Sequence, residues 1–159
     1  MIWISLAIII TYLVITVWKL KFIPDSISNL YYLTGKKAWF TLAIMTGALS
    51  FMPCALDITP ENIQALPFIA TTGMLMVGAA PNFKEYGKTV HYLGAIILLV
   101  FSQIWIMILN PKLLLPWIAY GIGLAWKILI KNKKPINWVF WAEIILIINV
   151  YATVILKVI

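Results

Sequence analysis

Residues 137–159 read NWVFWAEIILIINVYATVILKVI, and this stretch decides the fold because it is long and apolar enough to cross a membrane as one helix. A helix needs about 20 mostly apolar residues to span about 30 Å of hydrocarbon. Glu143 is the one acid of the chain that lies inside a long apolar run. Because an ionisable side chain is costly in hydrocarbon, we expect Glu143 to mark a functional site and to have a partner nearby.

The composition of the whole chain indicates a membrane protein. Of the 159 residues, 64% are hydrophobic and only 11% are charged, and the mean hydropathy is +1.01. Soluble domains carry about 25% charged residues, and a soluble fold of this size could not bury so much apolar surface. The net charge of +7 comes from twelve lysines against five acids, and most of the lysines lie in short segments between apolar runs. We therefore expect these lysines to face the surface of the lipid bilayer and not to bind nucleic acid.

Six apolar runs predict an all-α integral membrane protein, a compact bundle of six transmembrane helices in a single domain over residues 1–159. Strands would need shorter runs with alternating polarity, which the chain does not have. The third run begins with a motif typical of a helix start, in which Thr59 is the cap, Pro60 is the first helical residue and Glu61 is an acid in the first turn. The six runs cover residues 2–18, 38–56, 60–80, 90–109, 111–130 and 136–158.

Residues 19–37 form the longest segment between two runs, and we expect them to lie in the membrane interface. A short helix over residues 26–33 would place Ile27, Leu30 and Tyr31 on one side. The segment could bind a lipid headgroup, or it could be a plain interfacial connector.

The lysines predict the orientation of the bundle. Ten of the twelve fall on one side of the six runs, and cytoplasmic segments are the ones that carry excess lysine. This bias places both termini on the non-cytoplasmic side and favours a multi-pass protein of the cell inner membrane. The ten are Lys19, Lys21, Lys36, Lys37, Lys84, Lys88, Lys127, Lys131, Lys133 and Lys134.

Lys127 is the predicted partner of Glu143. Lys127 precedes the loop between the last two runs and Glu143 follows it, so an antiparallel helix pair would place both side chains at similar depth. Lys127 shares a helix face with Ala119, Tyr120 and Gly123, the small and polar side of the fifth run, and should therefore point into the bundle. The pair could join the last two helices structurally, or Glu143 could be a site for a proton or a cationic substrate.

Three further polar residues could complete a ligand-binding site with this pair. His91 begins the fourth run on the cytoplasmic side, where it could approach Glu143 and titrate near neutral pH. Gln103 and Asn149 are predicted near the middle of the membrane, where they could form hydrogen bonds between helices or line a substrate site.

Three functions remain open at this point. The first is binding or transport of a small or lipid-like ligand through a polar site on the cytoplasmic side, formed by Glu143, Lys127, His91, Gln103 and Asn149. The second is a structural or regulatory subunit that acts through helix contacts, as a homo-oligomer or with a membrane partner protein. The small residues Ala119 and Gly123 favour such contacts.

The third function is a membrane-embedded enzyme with Glu143 and His91 as acid and base, which requires the two within hydrogen-bond reach. The sequence has no metal-ligand pattern, glycine-rich phosphate loop or recognisable nucleophile, so it predicts no cofactor and no metal and gives this function the least support.

Overall fold

The computed structural model describes residues 1–129 and 137–158. The structure is 86% helical, and the described residues contain no strand. Seven α-helices follow one another along the chain. They are α1 (Ile2–Leu20), α2 (Asn29–Thr34), α3 (Lys37–Asp57), α4 (Ala65–Ala79), α5 (Gly87–Leu109), α6 (Leu115–Leu129) and α7 (Trp138–Val158).

Five of the predicted transmembrane stretches are long and apolar enough to cross a membrane, by length and composition. These are α1, α3, α5, α6 with the 3₁₀ turn Pro111–Leu114 that precedes it, and α7. The third predicted run differs because α4 has only 15 residues and is flanked by the 3₁₀ turns Glu61–Ile63 and Ala80–Asn82. At about 1.5 Å per residue, α4 is about 22 Å long and falls short of the hydrocarbon thickness.

Thr59 does not cap a helix with its side chain, in contrast to the prediction. The helix-start motif instead opens the 3₁₀ turn, which has no side-chain cap. The Thr59 hydroxyl donates to the Ala55 carbonyl and accepts a 2.9 Å hydrogen bond from the Trp105 indole. Thr59 therefore joins the end of α3 to the buried core side of α5.

A close contact brings the backbones of α4 and α5 together at two glycines. A Cβ atom built on Gly73 would lie 2.6 Å from the Leu98 nitrogen and 2.7 Å from the Gly94 carbonyl oxygen. A Cβ atom on Gly94 would lie 2.7 Å from the Gly73 carbonyl oxygen. Because these neighbours are backbone atoms, they cannot rotate away, and only glycine fits at both positions.

Three helices meet at a buried hydroxyl near the start of the chain. Ser5 of α1 is fully buried, and its hydroxyl donates a 2.6 Å hydrogen bond to the Gly47 carbonyl oxygen of α3. The Tyr151 hydroxyl of α7 lies 2.6 Å from the same serine oxygen. Since the serine has a single hydrogen to donate, Tyr151 is the donor of this second bond.

The short helix α2 packs one side on the bundle, and Tyr32 and Leu33 on its other side are exposed. Ile27, Leu30 and Tyr31, which were expected on one side of a helix, are at most 6% exposed, although Ile27 lies before α2 begins. The Tyr31 ring lies 5.1 Å from the Phe40 ring, centroid to centroid. Burial, together with the neighbouring Tyr32 hydroxyl, raises the pKa of Tyr31, so this ring stays neutral at physiological pH.

We predict that the G73A and G94A variants each destabilise the protein, by about 1–3 kcal/mol, because the added methyl group collides with backbone. Thermal unfolding of the purified protein in detergent measures the loss. G121A is the matched control, since a Cβ atom at Gly121 meets nothing within 4 Å. Equal melting temperatures for G94A and G121A would contradict the close contact.

Candidate functional site

The start of α7 is held by the segment of residues 21–28, which leaves α1 and leads into α2. The Asn137 side chain donates a 2.8 Å hydrogen bond to the Ile23 carbonyl oxygen, and the Phe140 backbone N–H donates a 2.9 Å bond to the Asp25 carbonyl oxygen. The first N–H groups of a helix have no partner within the helix, so the Asp25 carbonyl satisfies one of them. Pro24 is buried in this contact.

Glu143 completes the attachment of this segment. The Ile27 backbone N–H donates a 2.5 Å hydrogen bond to Oε2 of Glu143. Ile27 packs with Leu30 and Phe140 in a small apolar cluster, so the bond lies beside buried side chains. A backbone N–H that loses its acceptor there would be left unpaired away from water, which is costly. Glu143 thus joins α7 to the α1–α2 connection.

The predicted pairing of Glu143 with Lys127 is wrong in this structure. Lys127 is exposed on α6, and within residues 1–129 and 137–158 the two side chains form no ion pair. The face of α6 that was expected to point into the bundle, with Ala119 and Gly123, is exposed as well. Glu143 therefore joins two parts of the structure through a backbone N–H of the 21–28 segment, and not through a lysine.

The helix α6 is the least packed long helix of the chain. None of its 15 residues is buried, whereas α1, α3, α5 and α7 each contain several buried residues. Two hydrogen bonds hold it on one side, from the Trp117 indole to Gln103 of α5 and from the Tyr120 hydroxyl to the Trp138 carbonyl of α7. The residues of α6 other than Trp117, Tyr120 and Leu124 are exposed, and this free flank includes Ala119, Gly123 and Lys127.

The other predicted site residues lie in three different settings. Gln103 bridges helices as expected, since its Oε1 accepts the Trp117 hydrogen bond at 2.9 Å. Asn149 is 1% exposed near the midpoint of α7, and its Nδ2 atom has no hydrogen-bond partner among the residues that the structure describes. His91 lies in the first turns of α5, and its buried Nδ1 atom has no partner among these residues either. His91 forms no hydrogen bond with Glu143, so the acid–base arrangement of the enzyme hypothesis is not assembled by direct contact.

An enclosed cavity in the bundle is too small for a substrate. Its volume is about 20 Å³, which is room for about one water molecule. Its walls are almost entirely apolar and include Phe51, Thr71 and Trp105, but none of the five predicted site residues. Among the described residues, no three His, Cys, Asp or Glu side chains come together in a way that could hold a metal ion. The interpretation of the five residues as a ligand site stays a prediction.

Sequence reasoning missed the polar contacts that join distant helices. Ser5 and Tyr151 are 146 residues apart, and neither was singled out. The only signal available was a serine within the apolar first run, at position 5 of MIWISLAIII. Membrane helices use such hydroxyls to associate, at about 1 kcal/mol per bond.

We predict that E143L destabilises the protein by about 1–3 kcal/mol, because the Ile27 N–H loses its acceptor. E143Q should lose less, since the amide oxygen can still accept the bond. Thermal unfolding in detergent gives the stability, and hydrogen exchange at the Ile27 amide locates the change.

K127Q is the control for this prediction, and we expect it to unfold within about 0.5 kcal/mol of the parent because the Lys127 side chain is exposed. A loss as large as that of E143L would show that Lys127 does pair with Glu143.

No family model, no curated protein and no solved structure matches this chain, so its function has to be inferred from the contacts described above.

Proposed function

We propose that this protein is a structural or regulatory membrane subunit that receives a transmembrane helix of a partner protein on the free flank of α6. The observation that carries the proposal is the lack of any buried residue in α6. The exposed residues of α6 include Ala119 and Gly123, four residues apart, beside large apolar side chains such as Ile122 and Trp126. Small residues at this spacing let two membrane helices approach closely.

The charge on this flank favours a different protein over a second copy of the chain. Lys127 follows Gly123 by one turn and lies on the same stripe as Ala119 and Gly123. Two copies inserted in the same orientation would meet around a two-fold axis and bring their Lys127 side chains together. Like charges at such a contact repel. A partner helix with an acidic or polar group at this depth avoids the conflict.

The photo-crosslinking residue p-benzoylphenylalanine at position 126 tests this contact, because Trp126 is exposed one turn from Gly123. We expect a discrete adduct with another protein in intact cells, and a loss of about tenfold in this adduct when G123L blocks the approach. G121L is the matched control, since Gly121 is equally open but lies on the other side of the Ala119–Gly123 stripe.

An adduct of twice the monomer mass would show that α6 contacts a second copy of this chain and not a different protein. An adduct that survives G123L, or adducts with lipid alone, would overturn the proposed use of α6.

We further propose that the chain crosses the inner membrane six times, with both termini outside. The lysine bias supports this arrangement, and it requires α4 with its flanking 3₁₀ turns to act as the third crossing. Single cysteines at Asn82 and Lys112, in a C54A background, test the prediction with a membrane-impermeant maleimide. We expect labelling of position 112 in intact cells, and labelling of position 82 only after lysis. If α4 does not cross, position 82 lies outside and position 112 lies inside, because α5 still crosses between them. Labelling of position 82 without labelling of position 112 in intact cells would therefore remove the crossing by α4.

A polar site for a small or lipid-like ligand is the second candidate function. The observation in its favour is the unpartnered nitrogen of Asn149, a buried amide that a ligand could satisfy. The E143Q variant separates this function from the structural contact. Normal stability with altered uptake or ligand binding would support the ligand site, and altered stability alone would support the contact with Ile27.

A further inference from the structure

A surface groove at the C-terminal end of α1 combines apolar walls with two cations. Its volume is about 590 Å³, and it is lined by Val17, Trp18, Lys19, Lys21, Phe22 and Ile23. The three largest apolar side chains of the groove are all open to the surroundings, at 77% exposed for Trp18, 52% for Phe22 and 41% for Ile23. None of these six residues belongs to the predicted polar site or to α6.

Hydrogen bonds and packing against the bundle hold the backbone around the groove in place. Lys21 ends α1 in the left-handed conformation, with φ of 59°, and its N–H donates to the Val17 carbonyl oxygen. The Ile23 carbonyl oxygen accepts the hydrogen bond from Asn137, and the next residue, Pro24, is buried. The chain therefore presents Phe22 and the two lysines from a fixed turn.

The chemistry of the groove matches a charged lipid. α1 has 19 residues and is about 28 Å long, so its last turn lies at the level of the headgroups when it crosses a bilayer. Lys19 and Lys21 are exposed there, and they form no ion pair with a described carboxyl group. Ammonium groups at this level attract anionic headgroups, and each contributes to binding. Trp18 and Phe22 offer apolar surface that an acyl chain can cover and a free phosphate cannot, which distinguishes a phospholipid from free phosphate.

We propose that this groove binds an anionic phospholipid, with the headgroup phosphate between Lys19 and Lys21 and an acyl chain along Trp18 and Phe22. The lipid would cover the side of the 21–28 segment that faces away from the bundle. The opposite side of the segment is attached to α7 through Asn137 and Glu143. Binding here is independent of the contact proposed for α6.

Native mass spectrometry of the detergent-solubilised protein tests the site, with phosphatidylglycerol and phosphatidylcholine of the same acyl chains as probes. We expect preferential retention of phosphatidylglycerol, and a loss of affinity of about ten- to thirtyfold in the K19Q/K21Q double variant. The control is K36Q/K37Q, which removes two exposed lysines at the start of α3 and has the same change in net charge. We expect this control to bind within about twofold of the parent.

The F22S variant tests the acyl-chain part of the site, since Phe22 is exposed and its loss leaves the core intact. We expect weaker phosphatidylglycerol binding with an unchanged melting temperature. Equal losses in K19Q/K21Q and K36Q/K37Q would overturn the proposal in favour of diffuse charge attraction. Full competition by inorganic phosphate, or no effect of F22S, would overturn the role of the apolar walls.

Discussion

The hydrogen bond between the Ile27 N–H and the Glu143 carboxyl group holds two distant parts of the chain together. One part is the irregular 21–28 segment and the other is the first turns of α7. Irregular backbone beside a membrane bundle must have its polar groups satisfied within the protein, because hydrocarbon offers no substitute for water. The bonds from Asn137 and Phe140 to carbonyl groups of the segment, and from the Ile27 N–H to Glu143, satisfy these polar groups. The acid within the apolar helix α7 is thus a hydrogen-bond acceptor for the neighbouring backbone.

Hydropathy was sufficient to predict the long helices, because the membrane imposes length and apolar composition on each element separately. The helix α3 begins and ends within one residue of the predicted run, and α1 begins at the predicted residue. Leu30 and Tyr31, which were expected on one side of a helix in the membrane interface, are buried within the protein. Ile27 is also buried, but it lies before α2 begins, so helical spacing does not account for its burial. The helix α4 was predicted too long at its start, because Pro60 and Glu61 are typical of a helix start but open the 3₁₀ turn Glu61–Ile63.

The partners of polar side chains were harder to predict, because partners depend on packing between distant helices. Depth and opposite charge predict Lys127 as the partner of Glu143. In the structure the Glu143 carboxyl group instead accepts a hydrogen bond from the Ile27 backbone N–H, which no sequence pattern distinguishes. The same holds for Thr59, whose hydroxyl was expected at a helix cap and is used by Trp105. Gln103 was expected to bond between helices and does so, because a long polar side chain in a membrane helix has few other choices.

The short length of α4 has a consequence for the bilayer around the protein. The helix α5, directly beside α4, has 23 residues and is about 34 Å long, whereas α4 is about 22 Å long. If α4 crosses the membrane as proposed, a bilayer that matches both helices has to be thinner on the α4 flank than on the α5 flank, at a cost of a fraction of a kcal/mol per Å of mismatch. The Gly73–Gly94 contact holds the two helices together, so neither can tilt alone to relieve the difference. The protein would then deform the membrane asymmetrically and favour thin regions of it.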